Sequence, residues 1–224
     1  LYYPANTAGT NVAIAAGSTQ FPVVVFGHGF SLAASAYVKL ADTLTRYGYI
    51  VAFPTTETSL SPSHDNFGKD LSFLCTALIQ SGANSSSFLY QRVASKAAVG
   101  GHSMGGGCSF LAAASGNSNI YALFNMAAAE TTPSATTAAS LVNMPTLIFS
   151  GSSDCIVPPA TQKAMYINIP ATCKTFINIS GATHCQIANN NGTCVFGQIT
   201  SGCNSSTINP DIYLQKTLFF LLPF

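Results

Sequence analysis

The stretch Ala97-Ala98-Val99-Gly100-Gly101-His102-Ser103-Met104-Gly105-Gly106-Gly107-Cys108-Ser109-Phe110-Leu111 decides how the chain must fold. Its first four residues form a short run of the kind a sheet buries on both faces, and the small and apolar residues from Met104 onward suit a helix. Between them lies Gly101-x-Ser103-x-Gly105, where a strand must turn sharply into a helix and lift the serine above the sheet edge. Side chains at the flanking positions would collide in such a turn, so glycine brackets the serine. Ser103 then stands at a helix N-terminus, where the dipole favours developing negative charge.

Similar runs recur at residues 21–26, 49–53, 120–126, 145–150 and 175–179, each a candidate strand beside 97–100. Tyr37, Leu40, Ala41 and Leu44 fall on one helical face before Gly48, and Leu71, Leu74, Cys75 and Leu78 repeat the spacing before Gly82. Apolar strands alternating with helices predict an α/β fold, with a mostly parallel central sheet and helices on both faces. Residues 127–143, rich in Ala, Thr and Ser, read as a surface loop with room for a helical turn. Residues 189–206 read as a polar excursion pinned by Cys194 and Cys203. No repeat or linker interrupts the pattern, so residues 1–224 read as one domain.

Composition narrows the setting. The net charge is +1 and the eight Lys and Arg are scattered singly, which argues against a nucleic-acid partner. Hydrophobic residues make up 48%, yet no apolar run approaches the ~20 residues that span a bilayer, so no stable membrane insertion is expected. Only 7% of residues are charged, against about 25% in ordinary domains. That surface, and the crowding of Cys155, Cys173, Cys185, Cys194 and Cys203 into the last third, predict at least one disulfide and an exported protein, extracellular or periplasmic. Cys75 and Cys108 fall on apolar helix faces and are expected to be buried thiols. The chain opens and closes abruptly on apolar residues and lacks a basic, then apolar leader, so an export signal is expected to have been removed and residues to be missing at both ends. A monomer is expected.

An α/β fold that carries such a strand-serine-helix turn has its partners in the order serine, acid, histidine, and that order identifies them by elimination. Of four histidines, His28, His64 and His102 precede Ser103, which leaves His184 as the general base. Of the carboxylates only Glu130 and Asp154 lie between Ser103 and His184. Asp154 follows the strand at 145–150 and reaches the carboxyl edge of the sheet, so it is preferred as the acid that orients His184, with Glu130 as the alternative. The oxyanion donors are expected from the backbone N–H of Met104 and, after the early strand, from that of Phe30 in Gly27-His28-Gly29-Phe30. His28 reads as a buttress of that loop. No Cys or His group has metal-ligand spacing and no phosphate or dinucleotide fingerprint is present, so neither metal nor organic cofactor is expected.

With these motifs, joined by Pro145-Thr146-Leu147-Ile148-Phe149 and by Asp154 ahead of Pro158, the chain resembles the polyester-hydrolase and cutinase branch of the α/β-hydrolases. It is also similar to chlorophyllases, dienelactone hydrolases and platelet-activating-factor acetylhydrolases. The resemblance covers residues 23–184. It implies an α/β-hydrolase fold without a large lid, and a shallow groove floored by Phe30 and Met104, to which Val157 is added as a substrate-facing position. The tryptophan that such polyester hydrolases carry after the strand at 120–126 has no counterpart, since the chain contains no Trp and Ala127-Ala128-Ala129-Glu130 stands there. The family's disulfide near acid and base is also displaced. Cys155 and Cys185 each follow a proposed triad residue, which suggests a bridge between the two loops, with Cys173, Cys194 and Cys203 as competing partners.

The expected activity is that of a secreted serine carboxylic ester hydrolase, acting through an acyl-enzyme on short acyl esters and polyesters. A lipase, a chlorophyllase-like enzyme or another small-ester carboxylesterase would use the same residues. A binding protein that has kept the fold without turnover is the alternative from another class.

Overall fold

The computed structural model describes residues 1–189, 192–203, 209 and 211–221. Six strands, β1 (Phe21–Gly27), β2 (Ile50–Ala52), β3 (Val93–His102), β4 (Ile120–Met126), β5 (Thr146–Gly151) and β6 (Lys174–Ile179), form one sheet in the order β2-β1-β3-β4-β5-β6. Every pairing in it is parallel. Parallel neighbours need crossovers, and helices supply them: α1 (Val38–Arg46), α2 (His64–Ala83), α3 (Met104–Ala113), α4 (Ala135–Ala139) and α5 (Pro159–Asn168). At the edge, Tyr2 adds a single antiparallel bridge to Val51.

The strands read as continuous apolar runs because both faces are covered. Val23 and Val25 point into a core shared with Phe67 and Leu71 of α2, Phe110 of α3 and Met165 of α5. Val24 and Phe26 point the other way, against Leu40 and Leu44 of α1 and Tyr213 of α7 (Asp211–Leu221). The α/β architecture with helices on both faces is as the sequence predicts.

The helical turn for which 127–143 has room is present but packs inward, and 189–206 differs from expectation. Within 127–143 the helix α4 buries Ala135, Ala138 and Ala139 between α3 and α5. Its buried face is made of methyl groups, so it leaves little hydrophobic contrast in the sequence. Ser134 caps it by accepting a hydrogen bond from Thr137 N–H. Within 189–206 the expected polar excursion contains a further helix, α6 (Gly192–Thr200), which carries exposed Val195, Phe196 and Ile199. Asn190, Asn191 and residues 204–206 of that segment lie outside the described residues.

Phe124 of β4 lies fully buried against Phe26 of β1 at the sheet centre. Phe124→Ala should lower the unfolding free energy by ~3–5 kcal/mol in a urea titration with little change in slope. Phe73→Ala, on the exposed face of α2, should shift it by less than ~0.5 kcal/mol.

Candidate active site

Ser103 occupies the junction of β3 and α3 with φ 53° and ψ −119°, a backbone conformation that side chains rarely adopt. Holding a residue there costs about 1–3 kcal/mol and requires surroundings that allow no alternative. Ser103 N–H donates to the carbonyl of Met126 at 3.1 Å, and Ser103 C=O accepts from Gly107 N–H at 3.0 Å and from Ala129 N–H at 2.9 Å. A Cβ on Gly101 would run into the backbone of Gly105, and one on Gly105 into the backbone of Gly27. Gly105 N–H also donates to His28 C=O at 3.1 Å. The turn is thus clamped between β1, β3 and β4 by backbone contacts.

The other two side chains arrive on loops at the same sheet edge. Asp154 follows β5 and His184 follows β6, and the loops are bonded together: Ser152 N–H donates to Ile179 C=O at 2.9 Å, and Ser153 N–H to Ala182 C=O at 2.9 Å. The His184 turn is fixed by a capping box in which Thr183 N–H donates to the Gln186 side chain at 2.9 Å. That box was legible in Thr183-His184-Cys185-Gln186.

The structure brings the three predicted residues into line. His184 Nδ1 lies 2.8 Å from Asp154 Oδ2, and His184 Nε2 lies 2.9 Å from Ser103 Oγ. Asp154 and His184 are both buried, while Ser103 is half-buried. The second carboxylate oxygen of Asp154 accepts from Ile156 N–H at 3.0 Å and from Val157 N–H at 2.8 Å. A carboxylate so occupied accepts the Nδ1–H of His184, which leaves the Nε2 lone pair facing the serine hydroxyl.

Glu130 sits elsewhere. Its carboxylate accepts from the Thr136 hydroxyl and from the backbone N–H groups of Thr131 and Thr136, beside the start of α4. Although burial pushes its carboxyl upward, these bonds hold it below its ordinary value. His28 is buried with its ring nitrogens 2.9 Å from the carbonyl oxygen of Gly29 and 3.0 Å from that of Thr56. His64 Nδ1 accepts from Thr132 N–H. The N–H groups of Phe30 and Met104 have no hydrogen-bond partner among the described residues. Phe30 is 48% exposed, whereas Met104 and Val157 are 3% and 7% exposed, so of the three expected substrate-facing side chains only Phe30 offers solvent a broad surface.

A family model described as PET hydrolase-like matches residues 1–201. The chain belongs to the PET hydrolase-like family. As a member of that hydrolase family it shares the α/β-hydrolase fold, with a six-stranded parallel sheet at its centre. Among the described residues no group of His, Cys, Asp and Glu is arranged to hold a metal ion, and no helix is long and apolar enough to cross a membrane.

The cysteines depart from the expected direct bridge between the loops of Asp154 and His184. Cys155 pairs with Cys203 and Cys185 with Cys194, so this PET hydrolase-like chain joins the two loops through α6 rather than sulfur to sulfur. Gln198 of α6 adds a bond from Cys185 N–H to its side-chain carbonyl at 2.8 Å. Spacing could not reveal this, because the partners of Cys155 and Cys185 depend on how the excursion folds back. Cys75 and Cys108 are buried thiols, pushed up to about 12 by burial, and Cys173 is unpaired and exposed.

Sequence elimination set His102 aside, yet its fully buried ring lies beside that of His184, with centroids 4.9 Å apart. Burial, reinforced by the neighbouring His184, lowers it from 6.5 to about 3. Between those values the unfolded chain binds a proton that the folded protein refuses, so this contribution to stability is full above pH 6.5 and is lost as pH falls toward about 3.

Peptide mapping without reduction should recover the pairs Cys155–Cys203 and Cys185–Cys194, and iodoacetamide should label Cys173 in the native protein but Cys75 and Cys108 only after denaturation. Urea titrations at about pH 7.5 and about pH 5 should show a larger acid loss of stability in the wild type than in His102→Gln.

Proposed function

We propose that this hydrolase is an exported serine carboxylic ester hydrolase, with Ser103 as nucleophile, His184 as general base and Asp154 as the acid that orients it. The observation that carries the reading is the unbroken line Ser103 Oγ, His184 Nε2 and Nδ1, Asp154 Oδ2, with spacings of 2.9 and 2.8 Å.

In the first half-reaction Ser103 Oγ bonds to the ester carbonyl carbon while its proton passes to His184 Nε2. Asp154 stabilises the imidazolium without taking the proton. Negative charge on the carbonyl oxygen meets the free amides of Met104 and Phe30, a contribution of about a hundredfold or more per donor. The C–O bond to the alcohol breaks, and His184 returns its proton to the leaving oxygen. Water, activated by the same imidazole, then releases the carboxylic acid and restores Ser103.

The exposed ring of Phe30, and a sequence with no large insertion between Gly105 and Asp154 beyond the short Ala- and Thr-rich loop, favour short acyl esters and accessible polyester chains. The missing tryptophan, with Ala127 to Ala129 in its place, favours aliphatic over aromatic polyesters. Two disulfides among the described residues support an oxidising, extracellular or periplasmic setting.

A fluorophosphonate probe should label Ser103 and leave Ser103→Ala untouched, with ester turnover falling by more than about a thousandfold in that variant. Asp154→Asn should cost about 10²- to 10⁴-fold in kcat, while Glu130→Gln stays near wild type; the reverse order would move the acid to Glu130. A folded protein that takes no probe would instead be a binding module. Graded p-nitrophenyl esters beside solid aliphatic and aromatic polyester films test substrate range, and faster release from the aromatic film would contradict the predicted preference.

A further inference from the structure

The environment of His102 has a direction built into it. Its Nε2 lies 2.9 Å from the carbonyl oxygen of His184, and a carbonyl can only accept, so Nε2 carries the proton. The ring is neutral, so Nδ1 presents a lone pair, 2.9 Å from the Tyr37 hydroxyl. Tyr37 therefore donates to Nδ1, and its oxygen accepts from Gly29 N–H at 2.9 Å. Tyr37 and His102 are both fully buried, so no water competes for these bonds. Donors point one way along the whole chain, from Gly29 N–H through Tyr37 O–H to His102 Nε2–H and His184 C=O, and bonds so aligned strengthen one another.

The ends of this chain matter more than its middle. Gly29 precedes Phe30, the proposed oxyanion donor. His102 precedes Ser103 on the elbow, and His184 is the proposed base. A Cβ on Gly29 would stand 3.1 Å from His102 Nδ1 and 3.3 Å from Tyr37 Oη, so the three groups are packed as well as bonded. We propose that His102 is a positioning residue, the link in a hydrogen-bond chain from Gly29 through Tyr37 to His184 that fixes the base loop against the oxyanion loop. This rests on the ester-hydrolase reading above.

Neutrality of His102 serves the same end. When His184 takes the serine proton it becomes an imidazolium, and a second cation 4.9 Å away would oppose that step. A neutral ring that donates only to the backbone carbonyl holds the loop without adding charge.

The test combines Tyr37→Phe, His102→Leu, the double variant and His102→Gln, whose amide can both donate to His184 C=O and accept from Tyr37. Soluble-ester kinetics and the rate of fluorophosphonate labelling are measured on protein shown to be folded by circular dichroism. Each single variant should lose between ~10-fold and ~100-fold in kcat and in labelling rate with KM little changed. The double variant should be no worse than the poorer single, because one chain is cut twice, and His102→Gln should keep most of the wild-type kcat. Multiplicative losses in the double variant, unchanged kcat in the folded singles, or a Gln variant as poor as Leu would overturn the proposal. If His102→Leu does not fold, Tyr37→Phe and His102→Gln decide it alone. A wild type that neither turns over esters nor takes the probe would sink the ester-hydrolase reading instead. In that event ¹⁵N spectra of the His102 ring decide the hydrogen-bond chain: a neutral Nε2–H tautomer whose Nδ1 signal moves in Tyr37→Phe supports it, and an Nδ1–H tautomer overturns it.

Discussion

Backbone pressed on backbone at the elbow is the constraint on which the rest depends. Gly105 lies against Gly27 at the end of β1, and Gly101 lies against Gly105 across the turn. Only chains without side chains can approach this closely, and the approach forces Ser103 into its strained conformation at the head of α3. Three bonds to the Ser103 backbone hold it there. The same contact brings the loop after β1, which carries Phe30, beside the serine. One steric fact therefore sets Ser103, the proposed nucleophile, and the loop of the proposed oxyanion donor Phe30 together, before any polar group of the site is considered.

Asp154 and His184, the proposed acid and base, are placed by a different device. Their loops leave neighbouring strands β5 and β6, so parallel pairing already sets them side by side. Hydrogen bonds between the loops, two amides on Asp154 and the Thr183 capping box then remove the remaining freedom. In the reaction proposed for this site, preorganised groups do not have to reorient as charge develops, so their rigidity lowers a barrier that mobile dipoles would leave high.

How much of this could be read from the sequence follows from which forces are local. β1 and β4 announce themselves because strands buried on both faces are uniformly apolar, and the elbow does so because its glycines have a steric reason. The line Ser103, His184, Asp154 followed from chain order and scarcity, the protein having few histidines and fewer eligible carboxylates. Two kinds of feature escaped. The burial of α4 is hidden in alanines, whose small size gives almost no contrast. Sulfur pairing and the Tyr37–His102 contact join residues 48 and 65 positions apart, and no local pattern encodes which distant group a buried hydroxyl or thiol will meet.

The disulfides also have a topological meaning. The loop closed by Cys185 and Cys194 spans 9 residues and lies wholly inside the one closed by Cys155 and Cys203, which spans 48. In the chain-entropy view the inner link removes about 2.6 kcal/mol of freedom from the unfolded chain and the outer about 4 kcal/mol. Much of what the sulfurs contribute is thus written into the disordered ensemble. There they keep the loops of Asp154 and His184 within reach of each other through the segment between Cys194 and Cys203.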